Sequence, residues 1–151
     1  MVIQPSGLFP RVQASSPLPT PEEIPYGRKK SPAVRVLVVD DEPLVLWSIT
    51  ETLRSHGMEV DEARNAKEAL RAITREGGPP DAVLLDLNLP DSHDLGLLRT
   101  MRTIAPATRV FLMTAFGTPE VRLNAQQLGV VDVIDKPFDL TRLDTILTCR
   151  P

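Results

Sequence analysis

The chain has little of what would staple it, carry it across a membrane or bind it to polyanions. It holds one cysteine, Cys149, which excludes an intrachain disulfide and fits an ordinary helix side chain. No run of about 18 apolar residues occurs, so no membrane-spanning helix is expected. The N-terminus lacks a charged start followed by an apolar stretch, which argues against a secretory signal and for a soluble, cytoplasmic protein. Acidic side chains outnumber basic ones, 20 to 17. The excess is uneven: the first 33 residues carry a net +2 and the rest a net −5. An acidic body is a poor partner for nucleic acid, and the Arg28-Lys29-Lys30 cluster is too short to reverse that. The turn after the first apolar run has no glycines, so it is unsuited to wrapping a nucleotide phosphate.

Proline is abundant and clustered. Seven of 15 prolines (Pro5, Pro10, Pro17, Pro19, Pro21, Pro25 and Pro32) lie in residues 1–33. Proline blocks helix interiors and central strands, so 1–33 is expected to be a disordered, flexible tail. Pro17-Leu18-Pro19-Thr20-Pro21 could take polyproline form, although a plain spacer suits its composition better. From Val34 onward strand and helix signals alternate. Strands are expected at Val34–Val39, Met58–Asp61, Ala82–Leu85, Arg109–Met113 and Val131–Ile134. Helices are expected from near Glu42 to Gly57, then over Ala66–Arg75, Leu95–Ile104, Pro119–Leu128 and Leu140–Cys149. Asn65 and Thr118 are placed to cap helices, Pro43 suits a first turn, and Gly57 and Gly129 suit helix ends. In the first helix Val45, Ile49 and Leu53 form the expected inward stripe, leaving Leu44 and Trp47 outside it as a contact patch. Five such units make a parallel sheet covered by helices on both faces.

Polar residues recur where the apolar runs end. Asp40 and Asp41 follow VRVLVV, Asp86 follows DAVLL, Thr114 follows RVFLM, and Lys136 follows VVDVID. Ligands of open parallel sheets bind outside the carboxyl ends of the strands, so these five groups are expected at one site. Three carboxylates in one place need a cation. Hard oxygen donors suit Mg²⁺ (or Mn²⁺), which keeps some waters and often shares a phosphate. The chemistry that uses this set is phosphoryl transfer to a carboxylate. Asp86, from the middle strand, is the candidate acceptor. Asp41 and Asp40 are the candidate metal ligands, and Lys136 and Thr114 the groups that grip phosphoryl oxygens.

DDEP at 40–43, LLDLNLP at 84–90, MTAFG at 113–117 and DKPF at 135–138 resemble the motifs of the CheY-like receiver domain of two-component response regulators. They stand in the family's order, with 45 residues from Asp41 to Asp86, 28 to Thr114 and 22 to Lys136. The resemblance covers about residues 34–149. It implies a flavodoxin-like, doubly wound α/β fold with five helices around a five-stranded parallel sheet of order 2-1-3-4-5. It implies that Asp86 accepts a phosphoryl group from a sensor histidine kinase, a histidine phosphotransfer protein or a small phosphodonor. Mg²⁺ would be held by Asp40, Asp41, Asp86 and the backbone carbonyl of Asn88, with a cis bond between Lys136 and Pro137. The output face would be helix 4, strand 5 and helix 5, working through a downstream protein partner or a homodimer. No membrane or direct nucleic-acid contact is implied, and no catalysis beyond the chain's own phosphorylation and dephosphorylation.

Three positions depart from the family pattern. Val133 stands where an aromatic is usual, which calls the coupled threonine–aromatic switch into question. Asp94 stands where the acceptor loop usually has glycine; aspartate tolerates left-handed backbone better than most residues. Phe116 lies two residues after Thr114, where its ring is expected to restrict attacking water. Asp91-Ser92-His93-Asp94 also resembles a metal-ligand patch, but with no second histidine nearby a loop is the better reading. The chain ends soon after helix 5, so the expected output is a change of partner. A phosphorylation-independent scaffold is the alternative. A Mg²⁺-dependent aspartyl phosphatase is the weaker one, because it would need an acid where Asn88 stands.

Overall fold

Each short apolar run pairs with the next in a single parallel sheet, described in a computed structural model for residues 32–149. The proline-rich stretch up to residue 31, with its expected flexibility and Pro17–Pro21 motif, lies outside the described residues. The strands are β1 Arg35–Val39, β2 Glu59–Ala63, β3 Ala82–Asp86, β4 Arg109–Thr114 and β5 Asp132–Asp135. The helices are α1 Pro43–Ser55, α2 Ala66–Thr74, α3 Gly96–Ile104, α4 Pro119–Gln127 and α5 Leu143–Thr148, the last entered through a 3₁₀ turn at Leu140–Arg142. The strand order is β2-β1-β3-β4-β5 with every pairing parallel. This is the doubly wound fold the resemblance implied.

Burial explains the order. All five residues of β3 (AVLLD) are buried, as a central strand covered on both faces requires. β2 (EVDEA) buries only Ala63 fully, which suits an edge. Successive side chains of a strand go to opposite faces, and two apolar cores result. Val36, Val38, Leu84, Phe111 and Met113 meet Leu46, Ile49 and Leu53 of α1 and Leu143 and Leu147 of α5. Leu37, Val39, Val83, Leu85 and Leu112 meet Ile73, Leu97, Leu98, Met101 and Ala125 of α2, α3 and α4.

Several boundaries differ from the sequence reading, each for a physical reason. β2 runs two residues past Asp61 because it follows β1 to its end, with Val39 opposite Ala63. β3 and β4 each gain one residue, so Asp86 and Thr114 are the last residues of their strands. The inward face of α1 is Leu46, Ile49, Thr50 and Leu53, and Val45 is only half-buried. No side chain caps α1; ahead of it the Glu42 amide donates to the Asp40 carboxylate at 2.9 Å. The expected caps at Asn65 and Thr118 do form, accepting from the Glu68 and Val121 amides at 2.8 and 3.3 Å. Gly57 and Gly129 take positive φ, 80° and 79°, at the ends of α1 and α4. Asp94 is not left-handed; its carboxylate instead accepts from the Gly96 amide at 2.7 Å.

Candidate functional site

The carboxyl ends of β1, β3, β4 and β5 bring all five strand-end residues together. β1 delivers Asp40, fully buried, and the turn after it delivers the exposed Asp41. β3 ends on Asp86, 5% exposed, and β4 on Thr114, 4% exposed. Lys136 follows β5 directly and reaches back across the sheet edge. Its Nζ donates to Asp40 Oδ2 at 2.6 Å and stands 3.4 Å from Asp86 Oδ2 and 3.9 Å from Glu42 Oε1. A cleft of about 440 Å³ opens here, bordered by Asp41, Asp86, Asn88, Thr114, Phe116 and Lys136.

The electrostatics follow from burial. Desolvation raises the Asp86 carboxyl above its ordinary value, more than the Asn88 amide and the Lys136 charge lower it; the neighbouring Asp40 charge also raises it. Burial alone would lower the Lys136 ammonium, yet its hydrogen bond to Asp40 and the charges of Asp40, Asp86 and Glu42 leave it raised. Lys136 is therefore a fixed cation facing a carboxylate held at some energetic cost. Oxygens of Asp40, Asp41 and Asp86 all lie within 4.8 Å of one another. One lysine cannot neutralise three acids plus Glu42. A hard, oxygen-only donor set with excess negative charge fits a divalent ion of the Mg²⁺ class.

The loop after Asp86 is tightly held. The Asn88 amide donates to Asp86 Oδ1 at 3.2 Å and the Leu87 amide to the Met113 carbonyl at 3.0 Å. Asp91 accepts from the Ala66 and Lys67 amides at 2.7 and 3.2 Å, which ties the loop to the start of α2 and holds the Asp91 carboxyl below its usual range. The Asp91–Asp94 segment is thus a structural loop. On the far side, the Phe116 amide donates to Thr114 Oγ1 at 3.1 Å and the Lys136 amide to the Thr114 carbonyl at 2.8 Å. The Phe116 ring is 82% exposed. Val133 is buried in the core beneath α4, and the Lys136–Pro137 bond is cis.

Three residues that sequence reasoning gave no site role border the cleft or its loops. Glu42 adds a fourth carboxylate, signalled only by its place beside the acid pair. His93 Nδ1 lies 3.2 Å from Asn88 Oδ1. Arg122 of α4 contacts the β4–α4 loop and β5 together; nothing in the linear pattern of a polar helix points to it.

Comparison with known proteins identifies the family. Residues 36–148 match the response regulator receiver domain family. The chain is 37% identical over 109 residues to the response regulator protein PilR of Pseudomonas aeruginosa, covering 72% of this chain and 24% of that protein. It is 31% identical over 109 residues to the sporulation initiation phosphotransferase F of Bacillus subtilis, covering 72% of this chain and 86% of that one. The chain thus spans about a quarter of PilR but most of the smaller relative. Among solved structures, a CheY-like response regulator receiver domain protein from Methanospirillum hungatei superposes with a TM-score of 0.71 at 28% identity, over 76% of this chain and 90% of that one. No helix among the described residues is long and apolar enough to cross a membrane. The fold, the matched span and these relatives establish that the chain belongs to the response regulator receiver domain family.

Proposed function

We propose that Asp86 accepts a phosphoryl group from a sensor histidine kinase or a histidine phosphotransfer protein, and that the modified protein signals by changing its protein partner. The observation that carries this is Asp86 itself: a nearly buried carboxylate ending the central strand, 3.4 Å from Lys136 Nζ and grouped with two further carboxylates. In the transfer, the N–P bond of a phosphohistidine breaks as an Asp86 oxygen bonds phosphorus, and the imidazole leaves. Lys136 neutralises a phosphoryl oxygen, and the Thr114 hydroxyl donates to another. Asp40, Asp41, Asp86 and the Asn88 carbonyl would hold Mg²⁺ or Mn²⁺, which supplies further neutralisation of the phosphoryl oxygens. The work is positioning and charge compensation, so the chain catalyses only its own phosphorylation and dephosphorylation.

The working unit is residues 34–149, with 1–33 as a tether, acting in the cytoplasm. The phosphodonor protein docks beside the cleft on the exposed Leu44 and Trp47, which are 79% and 62% exposed. Next to them lies a groove of about 510 Å³ lined by Val45, Ile49, Pro137, Phe138 and Leu140. Output leaves through α4, β5 and α5. The test is incubation with Mg²⁺ and acetyl phosphate or phosphoramidate, read by intact mass. One phosphoryl addition, lost in Asp86→Asn, supports the reading. An unmodified chain with every donor favours a scaffold.

A further inference from the structure

Val133 leaves a gap in the account of output: a valine fixed in the core cannot relay movement as a swinging aromatic ring would. The structure places another residue across that gap. The β4–β5 ladder already sets Thr114 opposite Asp135, and Arg122, in the first turns of α4, adds a side-chain tie between β5 and the loop beyond Thr114. Nε donates to the Gly117 carbonyl at 3.1 Å, in the loop that follows Thr114. Nη1 donates to the Val133 carbonyl of β5 at 3.2 Å, and Nη2 pairs with the Asp135 carboxylate.

The fit is close. A Cβ on Gly117 would lie 2.8 Å from Arg122 Nη2 and would also collide with the Asp135 carboxylate. The bare glycine is therefore what lets the guanidinium sit between loop and strand. The loop it grips is bound to the site: the Phe116 amide donates to Thr114 Oγ1, and the Thr118 amide to the Phe116 carbonyl at 3.0 Å. The strand it grips leads into Lys136, one residue past Asp135. A planar guanidinium with fixed donor directions suits this use, because a shift of either carbonyl misaligns a bond that the other holds in place. The ion pair itself is exposed, with side-chain exposures of 35% and 59%, so it contributes little to stability. Its worth is geometric.

We propose that Arg122 is the positioning residue that couples the β4–α4 loop beyond Thr114 to β5 in place of an aromatic relay. This rests on phosphorylation of Asp86. It assigns the link to two carbonyl hydrogen bonds rather than to charge, and that separates the variants. Arg122→Ala and Arg122→Lys both lose the fork, and Gly117→Ala displaces it. Asp135→Asn keeps both carbonyl bonds and an acceptor oxygen.

The test is hydrogen exchange on the full chain with Mg²⁺, with and without excess acetyl phosphate, while intact mass records phosphorylation. In the wild-type protein, phosphorylation changes exchange both in peptides covering 114–118 and in those covering 131–135. In Arg122→Ala, Arg122→Lys and Gly117→Ala the change at 114–118 remains and that at 131–135 is lost. Asp135→Asn keeps both. Retention of the β5 change in Arg122→Ala overturns the proposal, as does its absence from the phosphorylated wild-type protein. Rescue by Arg122→Lys together with loss in Asp135→Asn would replace the geometric link with a charge effect and also overturn it. A wild-type chain that takes no phosphate fails at the mass measurement, which identifies the earlier reading as the one at fault.

Discussion

Replacing Lys136 with methionine keeps the stem and removes the charge. Its ammonium lies 2.6 Å from a fully buried Asp40 and 3.4 Å from a nearly buried Asp86. At an effective dielectric constant near 20, each contact is worth on the order of 5–6 kcal/mol of attraction before desolvation is subtracted. Breaking a buried ion pair by removing one partner costs about 3–5 kcal/mol, because the other charge stays buried without compensation. For a domain of this size that corresponds to a fall in Tm of roughly 10–20 °C without divalent ions. The carboxylate trio survives in Lys136→Met, so a divalent cation should repair much of the damage. The ion stabilises wild type as well, so the gap narrows only because the variant, freed of the competing ammonium, binds the ion more tightly, by about 1.4 kcal/mol for each tenfold difference in Kd. The assay is thermal unfolding of wild type and variant, each with EDTA and with a titration of Mg²⁺. The expected result is a large gap in EDTA that narrows by half or more as Mg²⁺ rises. A gap below about 3 °C, or one that Mg²⁺ leaves unchanged, refutes the view that Lys136 and a divalent ion neutralise the same carboxylates.

Three further outcomes can be checked. Asp86→Asn should stabilise the metal-free protein at neutral pH. The folded-state Asp86 carboxyl is raised above 3.8 by burial, so the folded protein keeps this proton to higher pH than the unfolded chain does. The wild type loses stability as pH rises through that window. The difference between variant and wild type in urea unfolding should therefore grow from about pH 4 upward and then level off; a gap that shrinks as pH rises contradicts it. Phe116→Ala or Phe116→Glu should speed loss of the phosphoryl group several-fold, measured by mass after the donor is removed, because the exposed ring beside the cleft no longer restricts water; an unchanged decay ends that idea. Trp47→Ala should change stability by no more than about 0.5 kcal/mol, as expected of an exposed side chain, while slowing transfer from a phosphohistidine protein and sparing labelling by acetyl phosphate. Equal rates from both donors would remove α1 from the docking face.

The site was more legible in the sequence than the surfaces around it. Asp40, Asp86 and Thr114 each end an apolar run, and a polar residue there is conspicuous because the strand it ends is buried on both faces. Lys136, by contrast, follows an edge strand already broken by Asp132 and Asp135 and is marked only by its place at the strand's end. The inward face of α1 takes Leu46 where the sequence pattern points to Val45. Leu44, Val45, Leu46 and Trp47 are consecutive apolar residues, so several helical stripes fit equally well, and packing chose Leu46. At Asp94, where the family usually has glycine, the loop uses a side-chain bond to Gly96 and not a left-handed backbone, an option that composition alone does not reveal. The ties made by Asp91 and Arg122 join segments that only the folded sheet brings together: Asp91 meets Ala66 across 25 positions, and Arg122 meets Val133 across 11.

The central claim is that Asp86 is the phosphoacceptor, and the mass of the intact chain after incubation with Mg²⁺ and acetyl phosphate or phosphoramidate tests it most directly. The account predicts a single phosphoryl addition that requires the divalent ion, maps to the peptide containing Asp86 and is absent in Asp86→Asn. A chain that stays unmodified with every donor, or an addition that persists in Asp86→Asn, would contradict it.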